Sequence, residues 1–218
     1  MKKIIYYKKT GMYIDWGQLS TLPKIDNFID IGIGEGTHDL WKKYKKKKII
    51  CIDPLEESET ITKKILKNSN YTFCKVAVGS KNQLKKINIE KAIGRSTLLS
   101  VTKKNFEGKP VERRMIKVRT LDHIMQGIKT RGSYGIKIDV EGYELEVIKG
   151  AKKTLLNSNF LLVETRHNHT TFKNQYQLSE LMNLITKNNF VLTHIFTAKP
   201  FIADLCFQPR KKIKKNIK

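Results

Sequence analysis

The chain has 218 residues, 39% apolar and 29% charged, which suits one sizeable hydrophobic core and excludes an intrinsically disordered polypeptide. No apolar run approaches the ~20 residues needed to span a bilayer, and the apolar stretch within Met1–Lys9 is too short for a secretory leader, so a soluble, cytoplasmic protein is expected. The formal net charge of +23 raises the question of a nucleic-acid or other anionic partner, because a basic face neutralises phosphates.

In chain order, apolar runs bounded by turn signals alternate with amphipathic segments, the pattern of βαβ units on a mainly parallel, doubly wound α/β sheet. Asn27–Ile31 is predicted as the first strand, followed by a glycine-rich turn and a helix from Thr37 to Tyr44. Lys48–Asp53 is the second strand, ended by Pro54. Ser58 is expected to cap a helix reaching Lys67, and Tyr71–Val78 to form the third strand. Between Ser80 and Thr120 the rhythm changes. Leu84–Ile89, Thr97–Val101 and Met115–Val118 read as short strands of a small β-meander inserted at about residues 80–120. The α/β pattern then resumes with a strand at Tyr134–Asp139 and one continuous helix from Tyr143 to Leu156, carrying Leu145, Ile148, Ala151 and Leu155 on one face. A strand at Phe160–Thr165, a helix at Leu178–Lys187 and strands at Phe190–Phe196 and Ala203–Phe207 complete the set. The expected division is an N-terminal extension (1–26), one domain (27–208) and a basic tail (209–218).

Only 7 of the 43 basic residues are arginine, the side chain suited to bidentate phosphate and base recognition. Most of the positive charge is therefore read as lysine scattered over the surface, with runs at Lys42–Lys48 and in the tail. A nucleic-acid partner stays possible but is not favoured. Cys51, Cys74 and Cys206 are odd in number, lack C-x-x-C spacing and sit in apolar runs, so they are expected as core thiols.

The stretch Asp30-Ile31-Gly32-Ile33-Gly34-Glu35-Gly36 carries the most information. Glycines let the backbone turn sharply and approach a ligand closely, just before a helix N-terminus. A dinucleotide fingerprint would need glycine or alanine where Thr37 stands. Asp30 would repel a pyrophosphate but suits a ligand bearing an ammonium group, and S-adenosylmethionine is such a ligand. Asp53, about 20 residues beyond the loop, stands where a carboxylate accepts ribose hydroxyls. Asp30, Gly32, Gly34, Gly36 and Asp53 are thus the expected cofactor residues. The alternative makes Asp30 a turn residue and Asp53 a helix cap.

The run Lys137-Ile138-Asp139-Val140-Glu141-Gly142, followed by Glu144 to Ala151, has a K-x-D-x-E-G pattern leading into a helix. Together with Asp30-Ile31-Gly32, Val118-Arg119-Thr120-Leu121-Asp122 and Leu162-Val163-Glu164, it resembles the FkbM-type methyltransferase family over about Phe28 to Phe207. The resemblance implies a class I methyltransferase (Rossmann-like) fold, S-adenosylmethionine as cofactor, and O-methylation of a sugar or natural-product hydroxyl. Ile33 and Gly34 stand where the family commonly has alanine and asparagine, and Asp53-Pro54 where it has Glu-Pro.

In doubly wound sheets ligands bind beyond the carboxyl ends of the strands. Asp139 and Glu141 are expected to line the acceptor pocket. The base that takes the acceptor proton is sought among Asp139, Glu141, Glu164 and His167. His167 has an imidazole suited to the task, but is equally read as a solvated loop residue beside His169. Glu141 could instead hold backbone amides of its turn. No metal is assigned, although the same four side chains are hard donors. Arg95-Ser96-Thr97 is read as a polar turn, with substrate contact the alternative. The expected acceptor is a small molecule or saccharide. The other readings are a nucleic-acid methyltransferase and a binding protein that keeps the fold without the reaction.

Overall fold

A computed structural model describes residues 5–7, 12–14, 16–101, 110–167 and 171–213, the side chains of 5–16 and 212–213 excepted. The strands are β1 (Ile5–Tyr7), β2 (Met12–Ile14), β3 (Asn27–Ile31), β4 (Lys48–Ile52), β5 (Tyr71–Cys74), β6 (Ala77–Val78), β7 (Gln83–Ile89), β8 (Glu112–Arg119), β9 (Tyr134–Ile138), β10 (Ser158–Arg166), β11 (Phe190–Ala198) and β12 (Ile202–Pro209). The helices are α1 (His38–Tyr44), α2 (Glu56–Ile65), α3 (Leu121–Gln126), α4 (Glu144–Lys149), α5 (Lys152–Leu156), α6 (Leu178–Lys187) and α7 (Arg210–Ile213).

The main sheet runs β1-β2-β11-β12-β10-β9-β3-β4-β5. Strands β5, β4, β3, β9 and β10 are parallel, and β12 enters antiparallel to β10. The chain leaves β3 towards one edge and returns to β9 on its other side. The topological switch therefore falls between β3 and β9, where doubly wound sheets open a crevice for ligand. Both faces of the sheet are covered. Ile29, Ile31, Ile136, Ile138, Leu161 and Val163 pack under α4 and α6 on one face, while their neighbours Phe28, Cys51, Phe160, Leu162 and Cys206 join Trp41 and Tyr44 of α1 on the other. This period-two division of unbroken apolar runs is why the central strands show no polar alternation.

Four expectations change. The inserted meander is instead a three-stranded sheet, β6-β8-β7, in which β6 runs parallel to β8. Thr97–Val101 contributes only isolated bridges, Asn88 to Thr97 and Val101 to Phe172. The third strand breaks after Cys74, and its second half, Ala77–Val78, supplies the missing member of the small sheet. The helix after residue 143 breaks at Gly150, where a Cβ would lie 2.1 Å from the Gly79 carbonyl oxygen and so bar closer approach of the two backbones. The second half, α5, has its amides at Lys153 and Thr154 held by the Asp122 carboxylate. Ser58 lies inside α2, and the residue before that helix, Leu55, donates its N–H to Asp53. The segment before residue 27 adds β1 and β2 to the sheet through pairing of β2 with β11. Of the basic tail, Arg210–Ile213 forms α7, and the remainder lies outside the described residues. Cys51 and Cys206 are buried and Cys74 half-buried, all as free thiols.

Candidate active site

A cavity of about 500 Å³ opens at the carboxyl ends of β3, β4, β9 and β10, a volume in the range of small-molecule sites. The glycine loop forms one wall, and Asp139 and Glu141 after β9 with Glu164 on β10 form another. Ile93, Gly94, Ser96 and Leu98, from the segment after β7, also line it.

The loop needs its glycines. Gly32 has φ +79°, and a Cβ there would fall 1.7 Å from the Asp139 carbonyl oxygen, so β3 and β9 could not leave the switch point side by side. Gly34, at φ +51°, meets the backbone of Gly94 in the covering turn. Gly36 also lines the cavity. Asp53 holds the loop from below. Its Oδ2 accepts the N–H groups of Ile33 at 2.9 Å and Gly34 at 3.2 Å, and its Oδ1 accepts that of Leu55 at 2.8 Å. Burial pushes the Asp53 carboxyl up and these amides pull it back, leaving it raised on balance. Asp53 is thus both a loop anchor and a wall residue.

Asp30 sits differently from the sequence expectation. It is fully buried and lies under the loop, not among the residues lining the cavity. Trp41 Nε1–H donates to its Oδ2 at 2.7 Å, while its Oδ1 has no hydrogen-bond partner. Burial lifts the carboxyl from 3.8 to about 6, against the opposing charge of Lys137.

Three of the four candidate bases converge. Asp139, Glu141 and Glu164 place carboxylate oxygens within 4.8 Å of one another on the cavity wall. Lys137, buried near the end of β9, donates to Asp139 at 2.8 Å. Burial disfavours the Lys137 ammonium, yet the charges of Asp139 and Asp30 outweigh it and raise its pKa. Glu141 has φ +52° and pairs with Arg166. Burial lifts Glu141 to about 7 although Arg166 pulls the other way. Glu164 has no such partner among the described residues. Burial first, then the charges of Asp139, Glu141 and Asp204, hold its carboxyl well above the ordinary 4.5. The trio could ligate a divalent cation, but Lys137 and Arg166 already neutralise two of its members.

His167 does not join them. It is exposed, its ring Nε2 lies 2.8 Å from the Pro200 carbonyl oxygen, and it is absent from the cavity wall. His169 lies outside the described residues. The turn amides of Val140 and Gly142 are held by Glu144, not Glu141. Of the polar turn at 95–97, Ser96 lines the cavity and Thr97 donates to the Glu141 carbonyl at 2.7 Å.

Several site residues were not singled out by sequence. Arg166 carries a signal, since residues two apart on a strand share a face and Glu164 is itself a candidate base. Asp204 is paired directly with Glu164 across β10 and β12, but that register is invisible without the sheet. Trp41 carried no polar signal, as an aromatic on a helix face reads as core.

The seven-strand order from β5 to β11, with its crevice at the β3–β9 switch, defines a class I methyltransferase fold. The profile of the Methyltransferase FkbM domain matches residues 30–192, and the chain belongs to that family, whose cofactor is S-adenosylmethionine. The structure of Methyltransferase FkbM from Methylobacillus flagellatus superposes with a TM-score of 0.56 at 19% identity, covering 88% of this chain. This chain spans 46% of the length of that protein. Magnesium protoporphyrin IX methyltransferase (ChlM) from Synechocystis, solved with bound S-adenosylmethionine, gives a TM-score of 0.49 at 12% identity over 88% of this chain and 74% of that one. No curated protein matches the sequence. No helix among the described residues is long and apolar enough to cross a membrane.

Proposed function

We propose that the chain is an S-adenosylmethionine-dependent O-methyltransferase acting on a hydroxyl of a saccharide, glycan or small metabolite. The observation that carries this reading is one cavity with two unlike walls: a glycine cradle anchored by Asp53, and a cluster of carboxylates at the neighbouring strand ends. The residues fit such a cofactor. The glycines admit close backbone approach, no phosphate-binding fingerprint is present, and the acidic lining suits a ligand bearing sulfonium and ammonium charges.

Gly32, Gly34 and Gly36 would hold the cofactor along the loop, with Asp53 facing its ribose and Asp30 acting from beneath through Trp41 and the loop. S-adenosylmethionine, when bound, supplies a methyl group already activated by its sulfonium. Much of the remaining catalysis is positioning. In this reading Glu164 takes the acceptor's hydroxyl proton on a carboxylate oxygen, because no ion pair among the described residues engages it and burial with neighbouring acids raises its proton affinity. Asp139, kept in place by Lys137, accepts a hydrogen bond from the acceptor. Free thiols at all three cysteines suit the reducing cytoplasm.

Calorimetric titration of S-adenosylmethionine into wild type and Asp53→Ala tests the reading. Micromolar binding weakened about tenfold or more by the substitution is expected, since a hydrogen bond to a charged group contributes about 1.5–3 kcal/mol. A folded wild-type protein that binds no cofactor would sink the proposal and leave a fold kept without the reaction.

A further inference from the structure

The small sheet has two contrasting faces. Its inner face carries Ile87, Ile89, Ile116 and Val118, all buried over the cavity side of the molecule. The outer face follows from the antiparallel register of β7 and β8, in which Leu84 lies opposite Lys117, Lys86 opposite Met115, and Asn88 opposite Arg113. Directly opposed residues point to the same side of a sheet, as do residues two apart along a strand. Leu84, Lys86, Arg113, Met115 and Lys117 therefore share one surface, which Val111 extends.

That surface is unusual in two independent ways. It holds three of the eight exposed large apolar side chains among the described residues: Leu84 at 63%, Met115 at 54% and Val111 at 68% exposure. Its charged members Lys86, Arg113 and Lys117 are exposed and cationic, and no ion pair engages them among the described residues. The acid on β8, Glu112, belongs to the opposite face and is bonded to Arg114.

We propose that the outer face of the small sheet is a docking surface for an anionic phospholipid bilayer. Apolar side chains interleaved with cations that no acid among the described residues pairs, Arg113 donating only to Asn88 Oδ1, match the two layers of such a surface: phosphodiester headgroups for Lys86, Arg113 and Lys117, and the acyl boundary for Leu84, Val111 and Met115. A second copy of this chain fits poorly, because a net charge of +23 would set like charges against each other across the contact. A nucleic acid would use the cations but leaves the three aliphatic side chains without a role, and among the described residues no aromatic platform accompanies them on this face. The inference is independent of the methyl-transfer reading, since it uses none of the cavity residues.

The test is co-sedimentation of the full chain with phosphatidylserine–phosphatidylcholine vesicles and with pure phosphatidylcholine vesicles. Binding to the anionic vesicles alone is expected. The triple variant K86E/R113E/K117E should weaken it by at least about tenfold, given the contribution of each basic side chain near an anionic surface. The uncharged variant L84S/V111S/M115S should weaken it while leaving net charge unchanged. The control K42E/K43E/K46E makes the same charge change on exposed lysines of the α1 region and should retain most binding. Thermal unfolding confirms that each variant is folded. Equal loss in the control, or no binding by the wild type, overturns the proposal by reducing the face to part of a diffuse charge. Tighter binding to a single-stranded RNA oligonucleotide, lost in the same face variants, overturns it in favour of a nucleic-acid surface. A sedimenting dimer abolished by L84S/V111S/M115S overturns it in favour of self-association.

Discussion

The two walls of the cavity both carry carboxylates, and they treat them in opposite ways. On the loop side, Asp53 gives its oxygens to three backbone amides and Asp30 accepts an indole N–H. On the acid side, Asp139 and Glu141 are ion-paired with side-chain cations, and Glu164 is in no ion pair among the described residues. Amide donors are fixed by the backbone and cost little further ordering, so the loop wall is set in shape before any ligand arrives. The acid wall carries crowded charge that a ligand or a proton must relieve. The loop wall should therefore be sensitive to shape, and the acid wall to pH.

The largest effect is expected where shape is most constrained. Gly32→Ala adds a Cβ that would overlap the Asp139 carbonyl, at a residue already in the left-handed region. Separating β3 from β9 at their ends should cost about 3 kcal/mol of stability and remove measurable cofactor binding. Chemical denaturation and calorimetry check both. An unchanged midpoint with normal binding would show that the strand ends can part freely, and would end the claim that the loop is pre-set.

The acid wall sharpens the comparison through pH. Asp30 is raised from 3.8 to about 6, Glu141 from 4.5 to about 7, and Glu164 upward. A carboxylate with a folded pKa above its unfolded value binds more protons in the folded state, so stability falls as pH rises from the unfolded value through the folded one. Glu57, Glu59 and Glu112 are lowered by Arg114 or Lys63, and their opposite contribution lies below about pH 4.5. The ligand-free protein is expected to be more stable near pH 5 than near pH 8. Glu164→Gln should flatten that fall and raise stability at pH 8, because the neutral amide is spared the cost of ionising in a half-buried, acidic setting. The same variant should lower methyl transfer by about 100-fold or more if Glu164 is the base. A melting temperature that climbs from pH 5 to pH 8 would contradict the picture of an overloaded wall.

A smaller effect probes the layer beneath the loop. Trp41→Phe keeps most of the apolar volume but removes the N–H given to Asp30. The carboxyl would lose its indole donor and keep only the support of Thr37 and the charge of Lys137. A loss of about 1–2 kcal/mol is expected from denaturant unfolding, somewhat greater at pH 8 than at pH 5 because the ionised form needs the donor most. Equal losses at both pH values would mean that Trp41 contributes by packing alone.

What could be read from sequence divides along the same line. The strands β3, β4, β9 and β10 and the glycine loop were legible because each rests on local chemistry: unbroken apolar runs, and glycines where the chain must turn. The roles within the site were less so, because they depend on register and depth. Asp30 and Asp53 both stand at strand ends in sequence. Asp30 lies in register with Cys51, two positions short of Asp53, and so sits beside Trp41 under the loop, while Asp53 reaches the cavity and the loop amides together. Likewise Glu141 and Glu144 lie close together in sequence, which offers no means of telling which one holds the turn and which one finds Arg166 on β10. The small sheet was misjudged for a related reason. Its third strand comes from the far side of a break at residues 75–76, a parallel pairing that no local pattern announces.

The smallest effect is the most pointed, since it concerns a residue that chemistry alone would favour. Histidine is the side chain with an unperturbed pKa nearest neutrality, and His167 follows directly on β10. The strand, however, delivers Glu164 to the cavity, and three residues later the chain has left the sheet and turned to solvent, where the His167 ring lies against the Pro200 carbonyl. A general base must come within hydrogen-bond reach of the proton it takes, and geometry outranks pKa in that choice. His167→Ala is expected to change kcat/KM by no more than about threefold, within the range of an exposed substitution. It should also leave intact any pH dependence attributable to the carboxylates. A loss of the size expected for Glu164→Gln would move the proton-accepting role to His167.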